Sequence, residues 1–453
     1  QRAKLKQEAA ELGIDPRVTE HANQIESLTE QTAWMNALEQ QVRQLQPMLG
    51  VAPPPGEILS LVSNLNSRTP PAPAAVGSSP LRTSRTMNAP GRFGGALCVY
   101  HRGEPVVDVW GGRRDESGDP WAEDTLAVSF STTKGVTATA LHVLADRGLV
   151  DIEAPVADYW PEFAAAGKQA VTVRHLLTHT AGLHRIRGVV DHADEMLDWD
   201  HMTSTLAART PRPAPGRRPG YHGLTYGWLV GNVIRNVTGT TLSEFIRAEL
   251  AEPLDLDGLY LATPEAERHR IATLMPEAGS EALARTEARM EWLARFERFR
   301  AMGDALIVDG TMEILRDDRG YSAEIPAANG TFTARSLARL YAALAGGGEL
   351  DGVRIMSPEH AARLGDTQVA RRDFVIGVDM KWRLGYHRAF TTGRPARRSF
   401  GHFGFGGSGA WADPETDLAV AFVTNDNTRT STPFADIRLV RLGGQALRLA
   451  RRR

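Results

Sequence analysis

The chain has 453 residues, a formal net charge of −2 at pH 7 and 42% hydrophobic residues. That length holds one large or two medium domains with a sizeable core, and the near-neutral charge leaves no basic footprint for nucleic acid and no polybasic membrane patch. The single cysteine, Cys98, excludes an internal disulfide framework.

In chain order, residues 1–50 read as a helical extension, with Leu28, Met35, Leu38, Val42, Leu45 and Leu49 forming an amphipathic stripe at three-four spacing. Docking of this stripe on the main body is preferred to a free coiled coil, because so short a heptad run is marginal alone. Residues 51–88, rich in Pro, Ala and Ser, read as linker. The main domain is expected over 89–453. Gly94 to Tyr100 and Pro105 to Trp110, separated by His101-Arg102-Gly103-Glu104, form a predicted hairpin, with Cys98 in its first, buried strand. Val136, Ala140, Leu141, Val143 and Leu144 then follow a helical period that Gly148 stops. A helix-rich middle contains Thr263 to Asp309, dense in Glu, Arg and Ala, which reads as a lid or a solvated helical hairpin. Leu418 to Val423 is a predicted buried strand and Asp436 to Arg453 a closing helix. Strands at both ends with helices between them give an α+β fold, a sheet drawn from both termini with a helical domain inserted. No apolar run approaches the ~18 residues of a membrane span. A cytoplasmic location is the expectation, with cell-envelope association as the alternative because the chain starts at Gln1. Oligomeric state has no sequence signature here.

The chemistry concentrates where the apolar run Val128-Ser129-Phe130 becomes helical. The basic residues divide into 47 arginines and only five lysines, and one serine alone, Ser131, has a lysine three residues on, Lys134. Arginine cannot give up its proton, whereas a desolvated lysine can act as a base. Serine at a helix start is also common capping chemistry. The nucleophile reading needs a base within reach and, usually, a second proton carrier.

Ser131-Thr132-Thr133-Lys134, Thr172 to Leu183, Gly220-Tyr221-His222-Gly223 and Gly401-His402-Phe403-Gly404-Phe405-Gly406-Gly407, followed by Ala412-Asp413-Pro414-Glu415, occur in the order found in a known group. The chain resembles the serine β-lactamase and penicillin-binding-protein superfamily, and within it the class C β-lactamase-like, family VIII esterases, from about residue 90 onward. The resemblance implies a β-lactamase/transpeptidase-like fold, an antiparallel sheet flanked by helices. It also implies Ser131 as nucleophile, Lys134 and Tyr221 as proton carriers, with Lys134 favouring the ionised tyrosine, and an oxyanion hole of the Ser131 and Phe405 backbone N–H groups. His402, Phe403 and Gly404 become substrate-binding positions. No metal or other cofactor is implied.

Two departures refine the expectation. His402 and Phe403 stand where β-lactamases place a lysine and a hydroxyl residue, and Gly223 stands where an asparagine contacts the antibiotic's side-chain amide. Losing polar recognition while keeping the acyl-transfer core favours a small, less polar carboxylic ester as substrate. The alternatives are β-lactam or D-amino-acid peptide hydrolysis, acyl transfer to an alcohol, and a catalytically idle binding protein.

Three other motifs carry less. His175, His179 and His184 have spacings that could suit zinc, but the glutamate of His-Glu-x-x-His is missing, so they read as structural. Tyr226 is the nearest rival to Tyr221. Gly404 to Gly409 matches a dinucleotide fingerprint formally, yet leads into a predicted strand instead of a helix, and Ser408 lacks the second glycine of a nucleophile elbow.

Overall fold

Arg102 (φ 56°) and Gly103 (φ 77°) turn strand β2 (Gly95–His101) back onto β3 (Glu104–Gly111). Two successive left-handed residues match the twist of an antiparallel pair, which is why a two-residue turn serves the predicted hairpin. The structure, a computed structural model, describes residues 85–87, 93–275, 297–426 and 437–451. The expected Leu28–Leu49 stripe and the linker up to residue 84 therefore lie outside the described residues, as does 276–296 of the expected lid.

The main sheet has six strands in the order β1-β3-β2-β11-β10-β9. β1 (Arg85–Met87) lies upstream of the expected domain start and pairs parallel with β3, while all other pairs are antiparallel. β9 (Phe400–Phe403), β10 (Gly409–Asp413) and β11 (Leu418–Thr424) come from the C-terminal end, so the N-terminal β2 pairs with β11 across the whole length of the chain.

Both faces of the sheet are covered, and alternate residues of each strand enter different cores. Cys98, Tyr100, Ala421 and Val423 face the larger core with helix α5 (Ala334–Ala345), and Leu97, Val99, Val420 and Phe422 face a second core with Leu439 and Leu442 of helix α6 (Ile437–Ala450). This two-sided cover explains why every residue of β2 and β11 is buried and why neither reads as an alternating strand. Each fully buried apolar side chain contributes about 1.5–3 kcal/mol.

The helical part is built on α1 (Thr133–Asp146), which is buried from Thr133 to Leu144 and runs into Arg147 and the left-handed Gly148 (φ 72°). Helix α2 (Trp199–Ala208) packs on α3 (Thr225–Thr238), which packs on α1, and α4 (Glu297–Leu306) follows the undescribed segment. A small sheet of β4 (Ala127–Val128), β6 (Thr331–Phe332) and β5 (Leu259–Tyr260) feeds the chain into α1, and β7 (Glu349–Leu350) and β8 (Val353–Arg354) form an outlying hairpin. The fold is the expected α+β arrangement, and the N-terminus of α1 meets edge strand β9 where the two parts join.

Candidate active site

Ser131 lies in a single 3-10 turn, Phe130–Thr132, one step ahead of α1, so the helix begins two residues later than the serine. Phe130 has φ 46°, a left-handed conformation for a bulky residue that costs roughly 1–3 kcal/mol and persists only where its surroundings impose it. Here they do. The Thr133 hydroxyl donates to the Phe130 carbonyl at 2.6 Å, and the Phe130 ring meets Phe405 edge-on at 5.7 Å. The Ser131 side chain caps no helix N–H. Its Oγ lies 2.8 Å from Lys134 Nζ and accepts a hydrogen bond from the Tyr221 hydroxyl at 2.8 Å.

Lys134 is fully buried, and burial holds its pKa well below the ordinary lysine value. Its Nζ also donates to the Ala327 carbonyl at 3.0 Å. A neutral amine with one hydrogen committed to Ala327 can turn its lone pair toward Ser131. Ala327 is held by its segment: Asn329 accepts from the Ile325 N–H and donates to the Gly320 and Ala323 carbonyls, while Thr137 of α1 donates to Pro326.

Tyr221 differs from the expectation of an ionised phenol. Burial pushes its pKa upward, outweighing the Ser131 hydrogen bond that would lower it, and the Asp373 carboxylate pushes the same way. Lys134 lies 5.0 Å from the ring centroid and, being itself desolvated, is a poor source of positive charge. Burial therefore favours a neutral amine and a protonated phenol in this pair. The ring stacks on Trp382 (5.7 Å, 8°) and meets His179 edge-on at 5.0 Å. Tyr226, its rival, has a buried hydroxyl without a hydrogen-bond partner among the described residues.

Strand β9 brings its residues to the site unequally. His402 is buried, its ring 6.1 Å from that of Tyr221, with Nδ1 3.1 Å from the Phe403 carbonyl. Burial holds its pKa well below the ordinary histidine value. Phe403, one residue on, points to the other face, into the second core beside His387 (5.1 Å) and Phe390 (5.9 Å). Its side chain is not brought to Ser131. Gly404 runs so close to the Phe130–Thr132 turn that a Cβ there would sit 2.2 Å from the Ser129 carbonyl oxygen and 3.0 Å from Thr132 Oγ1. Phe405 follows in the next turn, its ring against Phe130.

A beta-lactamase family model matches residues 82–445 of the chain. The chain belongs to the beta-lactamase family. This family member is 46% identical over 351 residues to the esterase/beta-lactamase LipL of Mycobacterium tuberculosis, a match covering 74% of this chain and 78% of that protein. It is 30% identical over 196 residues to the esterase EstB of Burkholderia gladioli, covering 38% of this chain and 46% of that one. Among solved structures, a family VIII carboxylesterase superposes with a TM-score of 0.68 at 38% identity, covering 79% of this chain and 92% of the other. A penicillin-binding-protein homologue from Caulobacter crescentus gives 0.66 at 35% identity, covering 79% and 93%. As a member of the beta-lactamase family, the protein is a serine hydrolase.

Within this beta-lactamase family chain, two site contributors had no signal in the sequence. One is Ala327, whose role is played by a carbonyl. The other is Asp373, fully buried, whose carboxylate accepts from the N–H groups of Tyr221 (3.1 Å), Val375 (2.9 Å) and Ile376 (3.1 Å) and from the Trp382 indole (3.1 Å). It ties the Tyr221 backbone to the ring stacked on Tyr221. The histidine group has local duties. His175 Nδ1 accepts from the Thr172 N–H, His179 Nδ1 accepts from the His222 N–H, and His222 Nε2 accepts from the Leu183 N–H. Gly404 to Gly409 runs through a turn into β10, and the Ser408 hydroxyl is bound to the backbone of Thr424.

Proposed function

We propose that the protein is an esterase that hydrolyses carboxylic esters of short to medium acyl chain through an acyl-enzyme on Ser131. The observation that carries this is the pair of 2.8 Å contacts placing Lys134 Nζ and the Tyr221 hydroxyl on one serine oxygen. The names of LipL and EstB and the family VIII carboxylesterase support ester chemistry. In this reading Lys134, neutral through burial, takes the Ser131 proton as Oγ attacks the acyl carbonyl. The tetrahedral oxyanion is held by the Ser131 and Phe405 N–H groups. On its collapse the bond to the alcohol oxygen breaks, and the proton returns from Lys134 through the Tyr221 hydroxyl to that oxygen. Water, deprotonated by the same pair, then releases the acid and restores Ser131.

The description of LipL as an esterase/beta-lactamase also raises β-lactam hydrolysis as a second reading. A neutral His402 and a glycine at position 223 argue for esters first, since neither offers the charge or amide contact that a β-lactam would use. The test is turnover of p-nitrophenyl butyrate and of nitrocefin by the wild type and by Ser131→Ala. Ester turnover that falls on the order of 10⁴–10⁶-fold in the variant, with little nitrocefin turnover, is the expected result. Comparable efficiency on nitrocefin would reverse the substrate ranking, and an unimpaired Ser131→Ala would remove the serine from the chemistry.

A further inference from the structure

Position 223, two residues after the proton-donating Tyr221, cannot hold any side chain in this fold. A Cβ there would lie 2.3 Å from Leu306 Cδ2 and 2.7 Å from the Ala305 carbonyl oxygen. Real Cβ contacts do not come so close, so the end of α4 already fills the volume. Gly223 is thus more than a lost asparagine. The space has been handed to an apolar side chain from a different part of the sequence.

The surroundings agree. Tyr221, Met302, Ala305 and Trp382 share one buried apolar cluster, with Leu306 half-buried at its edge. The helix end that carries Leu306 is fixed by its neighbour. The Asp304 carbonyl accepts from the Ile186 N–H (2.8 Å) and the Arg187 N–H (3.1 Å), and the Asp304 carboxylate pairs with Arg185 (3.0 Å) and Arg187 (3.7 Å). A wall anchored by two backbone bonds and two ion pairs is a defined surface for a substrate to meet.

We infer that Leu306 is a specificity-determining residue: it replaces polar recognition beside Tyr221 with an apolar wall, and it selects esters whose acyl group is a plain hydrocarbon over acyl groups bearing an amide next to the carbonyl. This rests on the esterase reading above. Atoms of the acyl chain that lie against Leu306 gain from burial, whereas an amide there would lose its water without finding a partner.

The experiment compares kcat/KM on p-nitrophenyl acetate, butyrate, octanoate and N-acetylglycinate for the wild type, Leu306→Ala and Leu306→Val, with thermal melting to select folded variants. The wild type should favour butyrate over N-acetylglycinate by about tenfold or more, the scale of one mismatched group in a pocket. Leu306→Ala should lower the butyrate-to-N-acetylglycinate ratio about tenfold, with Leu306→Val between the two. A ratio unchanged in folded, active variants, or a wild type that prefers N-acetylglycinate, overturns the inference and leaves the esterase reading standing. A wild type inert on every ester, with Ser131→Ala the same, overturns both.

Discussion

Replacing Asp373 separates a positioning role from a structural one. In Asp373→Asn the remaining carbonyl oxygen can keep the three backbone donors Tyr221, Val375 and Ile376, which all share Oδ1, but the new amide nitrogen faces the Trp382 indole N–H, which binds Oδ2. One stranded buried donor costs about 1–3 kcal/mol. Removing a buried charge works in the opposite direction, since burial already pushes the Asp373 pKa upward. The net loss in Asp373→Asn should therefore stay below about 3 kcal/mol. Asp373→Ala strands all four donors and should reach about 4–5 kcal/mol, the upper end for single substitutions. Catalysis should split more sharply. With its N–H still anchored, Tyr221 keeps its place in Asp373→Asn, and kcat/KM on p-nitrophenyl butyrate should fall by less than about tenfold; in Asp373→Ala a drift of the phenol by about 1 Å should cost about 100-fold. Urea unfolding gives the stabilities, and rates taken well below each variant's transition give the catalysis. Equal stability and equal kcat/KM for the two variants would refute the assignment of Asp373 as the anchor of Tyr221.

Other outcomes follow from the same geometry. Lys134→Arg puts a permanent cation at this position and cannot supply a neutral base, so kcat should drop about 10²–10⁴-fold; near-normal turnover would exclude Lys134 as the base. Because burial lowers the Lys134 pKa and raises that of Tyr221, kcat/KM should rise with pH as Lys134 loses its proton. It should show no basic fall until Tyr221 ionises, above the ordinary tyrosine range, and a descending limb at mildly alkaline pH in a stable enzyme would contradict this. Gly404→Ala drives a methyl into the Ser129 carbonyl 2.2 Å away. It should displace the Phe405 turn and reduce kcat more than it raises KM, as checked by steady-state kinetics across ester concentrations. Lys168, far from the reaction, donates to the carbonyls of Ala165 (2.8 Å), Ala207 (2.6 Å) and Arg209 (2.7 Å). Lys168→Met should cost about 2–4 kcal/mol in denaturant unfolding by leaving buried acceptors unpaired, with kcat/KM unaltered in the folded protein.

What the sequence determined by itself was what depends on near neighbours along the chain. The β2–β3 hairpin follows from Arg102-Gly103, the stop of α1 from Gly148, and the strand β11 from its unbroken apolar run. The approach of Ser131 to Lys134 follows from three-residue spacing across a helix start. Order of motifs extended this to Tyr221, whose hydroxyl does reach Ser131 although 90 residues separate them. The tertiary structure decided the rest. Which face Phe403 takes depends on the register of β9 against β10 and on α6 behind the sheet, and it turns the side chain away from the site. Whether Tyr221 is ionised depends on how completely Trp382, His179 and α4 exclude water from it. Asp373 and Ala327 act through a buried carboxylate and a carbonyl on loops whose composition is ordinary. The helix over Gly223 shows the difference most plainly. A glycine in a motif states that no side chain is there, and only the packed chain shows that Leu306 occupies the volume, because excluded volume is a property of segments that meet in space and not of their order.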